Sequence, residues 1–341
     1  MKFKGANIIH RGIRKILSLC RKRAVILLYH RIAQLRPDPQ LLCVTPSNFA
    51  EHLEHLQNYY QLISLQTLSQ SLLNGDIPDK AVVITFDDGY ADNLFNAEPV
   101  LEHYNTAATI FVSSSYIGSN RESCSDELER YLLIPESLPS SLTLTINGKS
   151  YYWQIDNCTK NIGEWNVSVT SEPSLRNQCY RQLHALLRPL DNLKRQNILS
   201  ALARWASCPT DARVEHRILS ADELKTLANN KLVEIGSHGA THLVFGVQPS
   251  EVQHKEINES KQQLESILNR PVTSFSYPYG GPNDVNSHTV DLVKKAGFKL
   301  ACANIAGVVT SDCDPFWLPR FLVRNWNGRE FANRLKKIFN S

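Results

Sequence analysis

Short apolar runs alternate along most of the chain with stretches in which apolar residues recur at helical spacing. Residues 24–30 and 81–86 contain no Asp, Glu, Lys or Arg, which is typical of strands buried on both faces of a parallel sheet. Further strands are predicted at 107–112, 233–236, 274–277 and 300–303, and helices at 46–73, 94–104, 221–229, 249–268 and 287–296. This alternation predicts an α/β fold, either a parallel sheet or a barrel.

The alternation stops between residues 118 and 215. The elements predicted there are a β-hairpin at 142–146 and 149–155 and two helices at 174–188 and 191–206. Asn147-Gly148 favours the hairpin because both residues tolerate the positive φ angles of a tight turn. We interpret 118–215 as an α+β insertion into an α/β domain that spans 24–341, serving as a lid or a substrate platform.

Charge is concentrated at the start of the chain. The net charge is +4, and residues 1–23 hold eight Lys or Arg and no acidic residue. Subtracting these eight charges leaves −4 for the rest, which argues against a protein that binds nucleic acid over its whole surface. The apolar residues of 1–23 recur at helical spacing, so this basic amphipathic arm either lies on an anionic membrane surface or packs on the domain as a solvated helix.

The cysteines and the apolar runs bear on the compartment. Eight cysteines are scattered without a C-x-x-C pair, which excludes zinc-ribbon and redox patterns. No apolar run reaches the ~18 residues of a membrane span, and residues 24–29 are too short for the core of a signal peptide. We therefore expect a cytoplasmic protein, with peripheral contact at the inner face of the membrane as the role of residues 1–23.

Two adjacent carboxylates follow the strand predicted at 81–86, in the motif Thr85-Phe86-Asp87-Asp88-Gly89-Tyr90. Parallel α/β folds place reactive groups at such strand ends. Like charges this close repel each other and raise one pKa unless a cation or hydrogen bonds hold them. Asp87 and Asp88 therefore indicate a metal site or a proton-transfer role, with a turn that caps the next helix as the alternative.

Two further motifs also follow predicted strands. In Gly236-Ser237-His238-Gly239-Ala240-Thr241-His242, two imidazoles four positions apart can bind one metal if the backbone turns helically. Together with a strand-end carboxylate they would give three protein ligands and open positions, as in catalytic sites. In Phe275-Ser276-Tyr277-Pro278-Tyr279-Gly280-Gly281, the loop can present a backbone N–H to an oxyanion. Unrelated surface histidines and an ordinary turn are the alternatives.

In this order, the three motifs resemble those of the polysaccharide deacetylase family, carbohydrate esterase family four, over residues 24–117 and 216–323. The resemblance implies a distorted (β/α) barrel of the NodB-like type. It also implies metal-dependent removal of an N-acyl group, N-acetyl above all, from an amino sugar, by hydrolysis of a carbon–nitrogen bond that is not a peptide bond.

The resemblance also implies roles for individual residues. Asp88, His238 and His242 would bind a divalent metal ion, Asp87 would be the general base, and the backbone N–H of Tyr279 would hold the oxyanion, with Tyr277 of the same motif on the substrate side. We expect Zn²⁺, and Fe, Co or Ni also suit two imidazoles and a carboxylate.

The chain departs from the family pattern in two places. The late histidine that usually protonates the amine is missing, since no histidine follows His288. His30 resembles the rearranged acid of the biofilm-type poly-N-acetylglucosamine deacetylases, and we assign it as the general acid, with a buried structural histidine or a substrate contact as alternatives. Ser276 stands where the family has the arginine that binds the base. Arg320 is a candidate for that role, and a solvated arginine at a strand end is the alternative.

These assignments predict a glycan or a sugar-linked small molecule as substrate and no nucleic acid partner. A cytoplasmic enzyme would act on a nucleotide-linked or lipid-linked sugar. Two other functions stay open from the sequence: a carbohydrate-binding protein without turnover, and a hydrolase of formyl groups or of amides outside sugars.

Overall fold

The computed structural model of the chain describes residues 22–157 and 163–340. The apolar runs predicted as strands lie in one parallel sheet, and two further pairs of strands lie outside it. The strands are β1 (Ala24–Tyr29), β2 (Arg31–Ile32), β3 (Cys43–Val44), β4 (Gln61–Leu62), β5 (Ala81–Phe86), β6 (Ala108–Val112), β7 (Ser141–Ile146), β8 (Lys149–Gln154), β9 (Val233–Ser237), β10 (Ser274–Ser276), β11 (Leu300–Cys302) and β12 (Phe321–Leu322). The α-helices are α1 (Pro46–Tyr59), α2 (Leu65–Asn74), α3 (Glu98–His103), α4 (Cys124–Leu132), α5 (Leu175–Leu187), α6 (Asn192–Trp205), α7 (Ala221–Asn229), α8 (Ser250–Leu268), α9 (Ser287–Lys295) and α10 (Gly328–Phe339).

Parallel pairing joins the strands in the order β11-β10-β9-β6-β5-β1-β12, and β4 also pairs with β5. Every residue of β1 and β5 is buried. Alternate side chains of each strand belong to different hydrophobic clusters, Val25 and Leu27 to one, Ala24 and Ile26 to another, because successive residues of a strand point to opposite faces. The sheet curls and helices surround it, so the predicted distorted (β/α) barrel is confirmed.

The strand register brings the ends of β1 and β5 together. Tyr29 is paired with Phe86, and the amide of Asp87 donates to the carbonyl oxygen of Tyr29 at 3.0 Å. At the neighbouring strand ends, the amide of His238 donates to the carbonyl oxygen of Val112 at 3.0 Å. The chemically active motifs of the sequence therefore share one edge of the sheet, as parallel strands require.

The region between the two halves of the barrel has a hydrophobic cluster of its own, with buried residues from Leu128 to Ala206. It contains α4, the antiparallel hairpin β7–β8, α5 and α6. The hairpin and the two later helices lie where the sequence predicts them, and α4 was not predicted. We refer to residues 118–215 below as the inserted segment.

The stretch 46–73 was predicted as one helical pattern and consists of two helices. The backbone is extended at Tyr60, and β4 pairs with β5 through Gln61 and Ala81. Ser64 then begins α2, because its side chain accepts a hydrogen bond from the amide of Thr67 at 3.0 Å. Pairing with the central sheet therefore prevails over helix periodicity at this point.

The basic arm predicted at 1–23 lies outside the described residues except for Lys22 and Arg23. The Arg23 guanidinium donates to the carbonyl oxygen of Phe339 at 2.8 Å. Within 22–157 and 163–340, no helix combines the length and the apolar character that a membrane crossing needs. Contact of residues 1–23 with a membrane surface stays a prediction.

Gly236→Ala should destabilise the barrel, because Gly236 lies in β9 where a Cβ atom would overlap the Phe111 ring and come within 2.7 Å of Ser274 Oγ. We expect the free energy of unfolding, measured by urea titration, to fall by about 1–3 kcal/mol. Gly163→Ala is the control, because a Cβ atom there meets nothing within 4 Å, and it should change stability by less than about 0.5 kcal/mol. Equal stability of the two variants would contradict this packing.

Candidate metal centre

Asp88, His238 and His242 meet at the sheet edge. One ligand atom from each lies within 4.8 Å of the others. The Nε2 atoms of His238 and His242 are 3.5 Å and 3.3 Å from Asp88 Oδ1. The loops that follow β5 and β9 therefore bring the three predicted ligands together.

The backbone reaches this arrangement through left-handed residues. Asp88 has φ +74° and His242 has φ +55°, and Gly239 between the two histidines has φ +72°. Since β9 is followed by a loop, the imidazoles converge without the helical turn that their spacing suggested. A left-handed conformation is costly for residues other than glycine and persists only where the surroundings hold it.

The hydrogen bonding of His238 leaves one ring nitrogen available for a metal. Its Nδ1 lies 2.8 Å from the carbonyl oxygen of Ser276, which can only accept, so Nδ1 carries the proton in the neutral ring and Nε2 has a free lone pair. Burial lowers the pKa of His238 to about 4, so the ring is neutral near pH 7. The side chain is thus in the form that binds metals.

Asp88 supplies a further indication of a bound cation. Its Oδ1 atom is buried and accepts no hydrogen bond of good geometry in the described part of the chain, although the His238 and His242 rings lie beside it. A buried carboxylate oxygen without a partner is costly. Two neutral imidazole nitrogens and one carboxylate oxygen fit a divalent cation such as Zn²⁺, and Fe, Co and Ni accept the same ligands.

Asp87 is held separately, by Arg320. The guanidinium donates to Asp87 Oδ1 at 2.8 Å and Oδ2 at 2.7 Å, and both side chains are buried. Ser276 Oγ donates to Asp87 Oδ2 at 3.2 Å and accepts from Arg320 at 2.9 Å. Burial raises the pKa of Asp87, but the Arg320 charge and the Arg320 hydrogen bonds hold that pKa below its usual range. Asp87 is therefore an ionised carboxylate beside the three ligands, with Oδ2 3.8 Å from His238 Nε2.

His30 follows β1 and is partly exposed. Burial of its ring lowers its pKa, and the negative charges of Asp88 and Asp87 offset only part of that effect. The ring therefore lies within electrostatic range of both carboxylates, as a proton donor at this site would need. Its backbone is fixed by Asn93, whose Nδ2 donates to the His30 carbonyl oxygen at 2.9 Å.

The two tyrosines of the third motif lie in different surroundings. Tyr279 has φ +61°, its ring centroid is 4.7 Å from that of His242, and its amide N–H has no acceptor within the described residues. Tyr277 is buried in the core, and its hydroxyl donates to the carbonyl oxygen of Phe316 at 3.0 Å. The structure thus places Tyr279 at the metal ligands and directs the Tyr277 side chain away from them.

A cavity of about 410 Å³, counted with the space that opens to solvent, lies beside the metal ligands. Asp88, His242 and Tyr279 line it together with Cys124 and Arg195 of the inserted segment. Sequence reasoning missed both of these residues. No motif surrounds them, and Arg195 is one of several basic residues on α6, so the linear pattern carried no signal for either.

A second group of possible ligands, Asp126, Glu129 and His216, is also buried. Arg213 binds Glu129 at 3.0 Å, and Asp126 accepts from His216 at 3.1 Å and lies 3.8 Å from Arg31. Since the carboxylates already have cationic partners, this group is an ion-pair network that joins the inserted segment to the barrel.

Comparison with known proteins gives one family. The family model described as polysaccharide deacetylase matches residues 74–134 and 190–301, about half of the chain. The curated protein YxkH of Bacillus subtilis (strain 168), which carries the same family description, is 36% identical over 106 residues. That match covers 30% of this chain and 37% of YxkH, so the chain spans little more than a third of the curated relative.

Solved structures share the fold over nearly the whole chain. The Streptococcus pyogenes deacetylase PplD, in complex with acetate, has a TM-score of 0.58 at 17% identity and covers 93% of this chain and 99% of its own. IcaB from Ammonifex degensii has a TM-score of 0.58 at 16% identity, with 92% and 97% covered. At these identities the likeness shows a common fold.

Arg320→Met should destabilise the protein strongly, because it leaves the buried Asp87 carboxylate without its cation. We expect the free energy of unfolding to fall by about 3–5 kcal/mol in urea titrations followed by circular dichroism. Arg334→Met is the matched control, since Arg334 binds Glu330 at 2.7 Å with both side chains about half exposed, and should cost less than about 1 kcal/mol. Similar losses of unfolding free energy in both variants would show that the buried Asp87–Arg320 pair stabilises the protein no more than an exposed ion pair does.

Proposed function

Because this chain belongs to the polysaccharide deacetylase family, we propose that it is a metal-dependent hydrolase that removes an N-acyl group, N-acetyl first of all, from an amino sugar of a glycan or of a glycan precursor. One observation carries the proposal. The ligand atoms of Asp88, His238 and His242 lie within 4.8 Å of one another, beside a second carboxylate, Asp87, that Arg320 keeps ionised.

The proposed reaction divides between the cation and Asp87. A divalent cation at the site supplies Lewis acidity, which makes water a better nucleophile and polarises the amide carbonyl. Asp87 takes the proton of the attacking water as general base. Arg320 and Ser276 fix both of its oxygens, which keeps the base in one orientation.

His30 and Tyr279 complete the proposed mechanism. The Tyr279 amide N–H, which has no acceptor in the described chain, donates to the oxyanion. His30 protonates the departing amine, because an amide nitrogen cannot leave as an anion near neutral pH. Burial lowers the pKa of His30 below its ordinary value, and the negative charges of Asp88 and Asp87 offset part of that effect.

The alternatives are a carbohydrate-binding protein without turnover and a hydrolase of formyl groups or of other amides, since a fold does not fix a substrate. The unpartnered Asp88 oxygen and the ionised Asp87 beside it favour an enzyme over a binder. A nucleotide-linked or lipid-linked sugar remains the substrate expected from the sequence.

Asp87→Asn should lower kcat for acetate or formate release from N-acylated glucosamine oligomers by about 10²–10⁴-fold, because the base is lost. Metal content should stay at the wild-type value, and a chelator should abolish wild-type activity. Asp222→Asn is the control, since the Asp222 side chain is 93% exposed on α7. Full activity of Asp87→Asn, with its folding verified by thermal denaturation, would disprove the assigned base.

His30→Gln tests the general acid by comparing leaving groups. We expect kcat to fall by about 10²-fold or more on an N-acetyl sugar and much less on 4-nitrophenyl acetate, whose leaving group needs no proton. His254→Gln, an exposed histidine of α8, should leave both rates unchanged. Equal losses on both substrates would assign His30 a structural or binding role, and no loss on either would remove it from the site.

A further inference from the structure

Arg195 links the inserted segment to the metal ligands. It lies on α6, is 1% exposed, and donates from Nη1 to the carbonyl oxygen of His242 at 2.9 Å and from Nη2 to that of Thr241. One guanidinium therefore binds the carbonyl groups of two consecutive residues. One of these residues, His242, is a proposed metal ligand.

The loop that carries His242 needs such support. With φ +55°, His242 occupies a conformation that costs free energy and relaxes unless neighbouring groups prevent it. Glu256 of α8 holds the loop from one side, where its carboxylate accepts from the Thr241 amide at 2.8 Å and the Thr241 hydroxyl at 2.7 Å. Arg195 binds the carbonyl oxygens of Thr241 and His242. Residues outside the loop therefore bind both its hydrogen-bond donors and its acceptors.

Arg195 is a buried charged group whose hydrogen bonds go to backbone oxygens. Among the described residues its guanidinium forms no salt bridge with a carboxylate, and its Nε is buried without an acceptor. Neighbouring groups, the Glu256 carboxylate among them, offset the effect of burial on the charge. The guanidinium also lines the cavity beside Asp88 and His242, which places it at the proposed metal centre.

A second arginine of the inserted segment contacts the neighbouring loop. The Arg188 guanidinium lies 4.5 Å from the centre of the Tyr279 ring and binds Asp284 at 2.6 Å. The inserted segment thus contacts the loop after β9, which carries His242, and the loop after β10, which carries Tyr279. Arg195 is the more deeply buried of the two arginines.

We propose that Arg195 is a positioning residue for the metal centre: it fixes the backbone of Thr241 and His242, and the inserted segment thereby sets the metal affinity of the barrel. This inference rests on the proposed function, since it requires that His242 binds a metal ion. Arg195 itself donates only to backbone oxygens and is not a catalytic residue.

The test measures metal binding and stability separately. Full-length protein is stripped with a chelator and titrated with Zn²⁺ by calorimetry, and the Tm of each metal-free form is recorded. Arg195→Met should weaken Zn²⁺ binding by about 10–100-fold, the range found when groups that orient metal ligands are removed. Arg195→Lys should lie between this variant and the wild type, because a single ammonium group cannot span both carbonyl oxygens as a guanidinium does.

Arg176→Met is the matched control. Arg176 is also a buried arginine of the inserted segment, and its guanidinium donates to the backbone oxygens of Asp156, Pro135 and Glu136, away from the metal ligands. We expect this variant to lower Tm and to keep the wild-type Zn²⁺ affinity. Loss of affinity in Arg195→Met together with an unchanged affinity in Arg176→Met supports the proposal.

Other outcomes overturn it in distinguishable ways. If the wild type binds Zn²⁺ and both Arg195 variants bind it equally well, the inference fails and the proposed function stands. If the wild type binds no Zn²⁺, Co²⁺ or Ni²⁺, the proposed function fails and the inference with it. Should Arg195→Met not fold, Arg195→Lys decides: wild-type affinity in that variant contradicts the proposal, and weakened affinity at an unchanged Tm supports it.

Discussion

The repulsion between two successive carboxylates, one buried and one partly buried, is the constraint on which this site depends. Asp87 and Asp88 cannot both stay ionised at a strand end unless each has a positive partner of its own. The left-handed backbone of Asp88, with φ +74°, turns its side chain toward the imidazoles, while Asp87 points to Arg320. The two neighbouring carboxylates therefore have different partners: Asp87 is paired with an arginine, and Asp88 faces two imidazoles.

Ser276 hydrogen-bonds to both parts of the site, to His238 on one side and to the Asp87–Arg320 pair on the other. Its carbonyl oxygen accepts a hydrogen bond from Nδ1 of His238, so that Nε2 of the same ring faces Asp88. Its hydroxyl group bridges Arg320 and Asp87. One residue at the end of β10 thus orients both a metal ligand and the proposed base. Because the hydroxyl is small, it leaves the space beside Asp87 that the Arg320 guanidinium occupies.

How far the sequence predicts this molecule depends on whether a feature is local. Residues 81–86 are apolar at every position but one, Thr85, and their strand is found where predicted, because burial on both faces leaves a simple pattern. The convergence of Asp88, His238 and His242 was also predictable, since they follow such strands directly, and their role as metal ligands stays a prediction. The division of 46–73 into two helices was not, because it arises from pairing of β4 with a distant strand. Nor was Arg195, whose partners are backbone carbonyl groups 46 and 47 positions away and leave no trace in side-chain patterns.

Some of the groups that hold this site lie outside the motifs. Arg320 precedes β12, which pairs with β1, and it reaches Asp87 through the sheet order rather than through closeness in sequence. Arg195 and Cys124 reach the cavity from the inserted segment. The motifs therefore supply the candidate ligands and the candidate base, whereas part of the cavity wall comes from residues outside the motifs. The space beside the candidate ligands is thus shaped by the inserted segment and the barrel together.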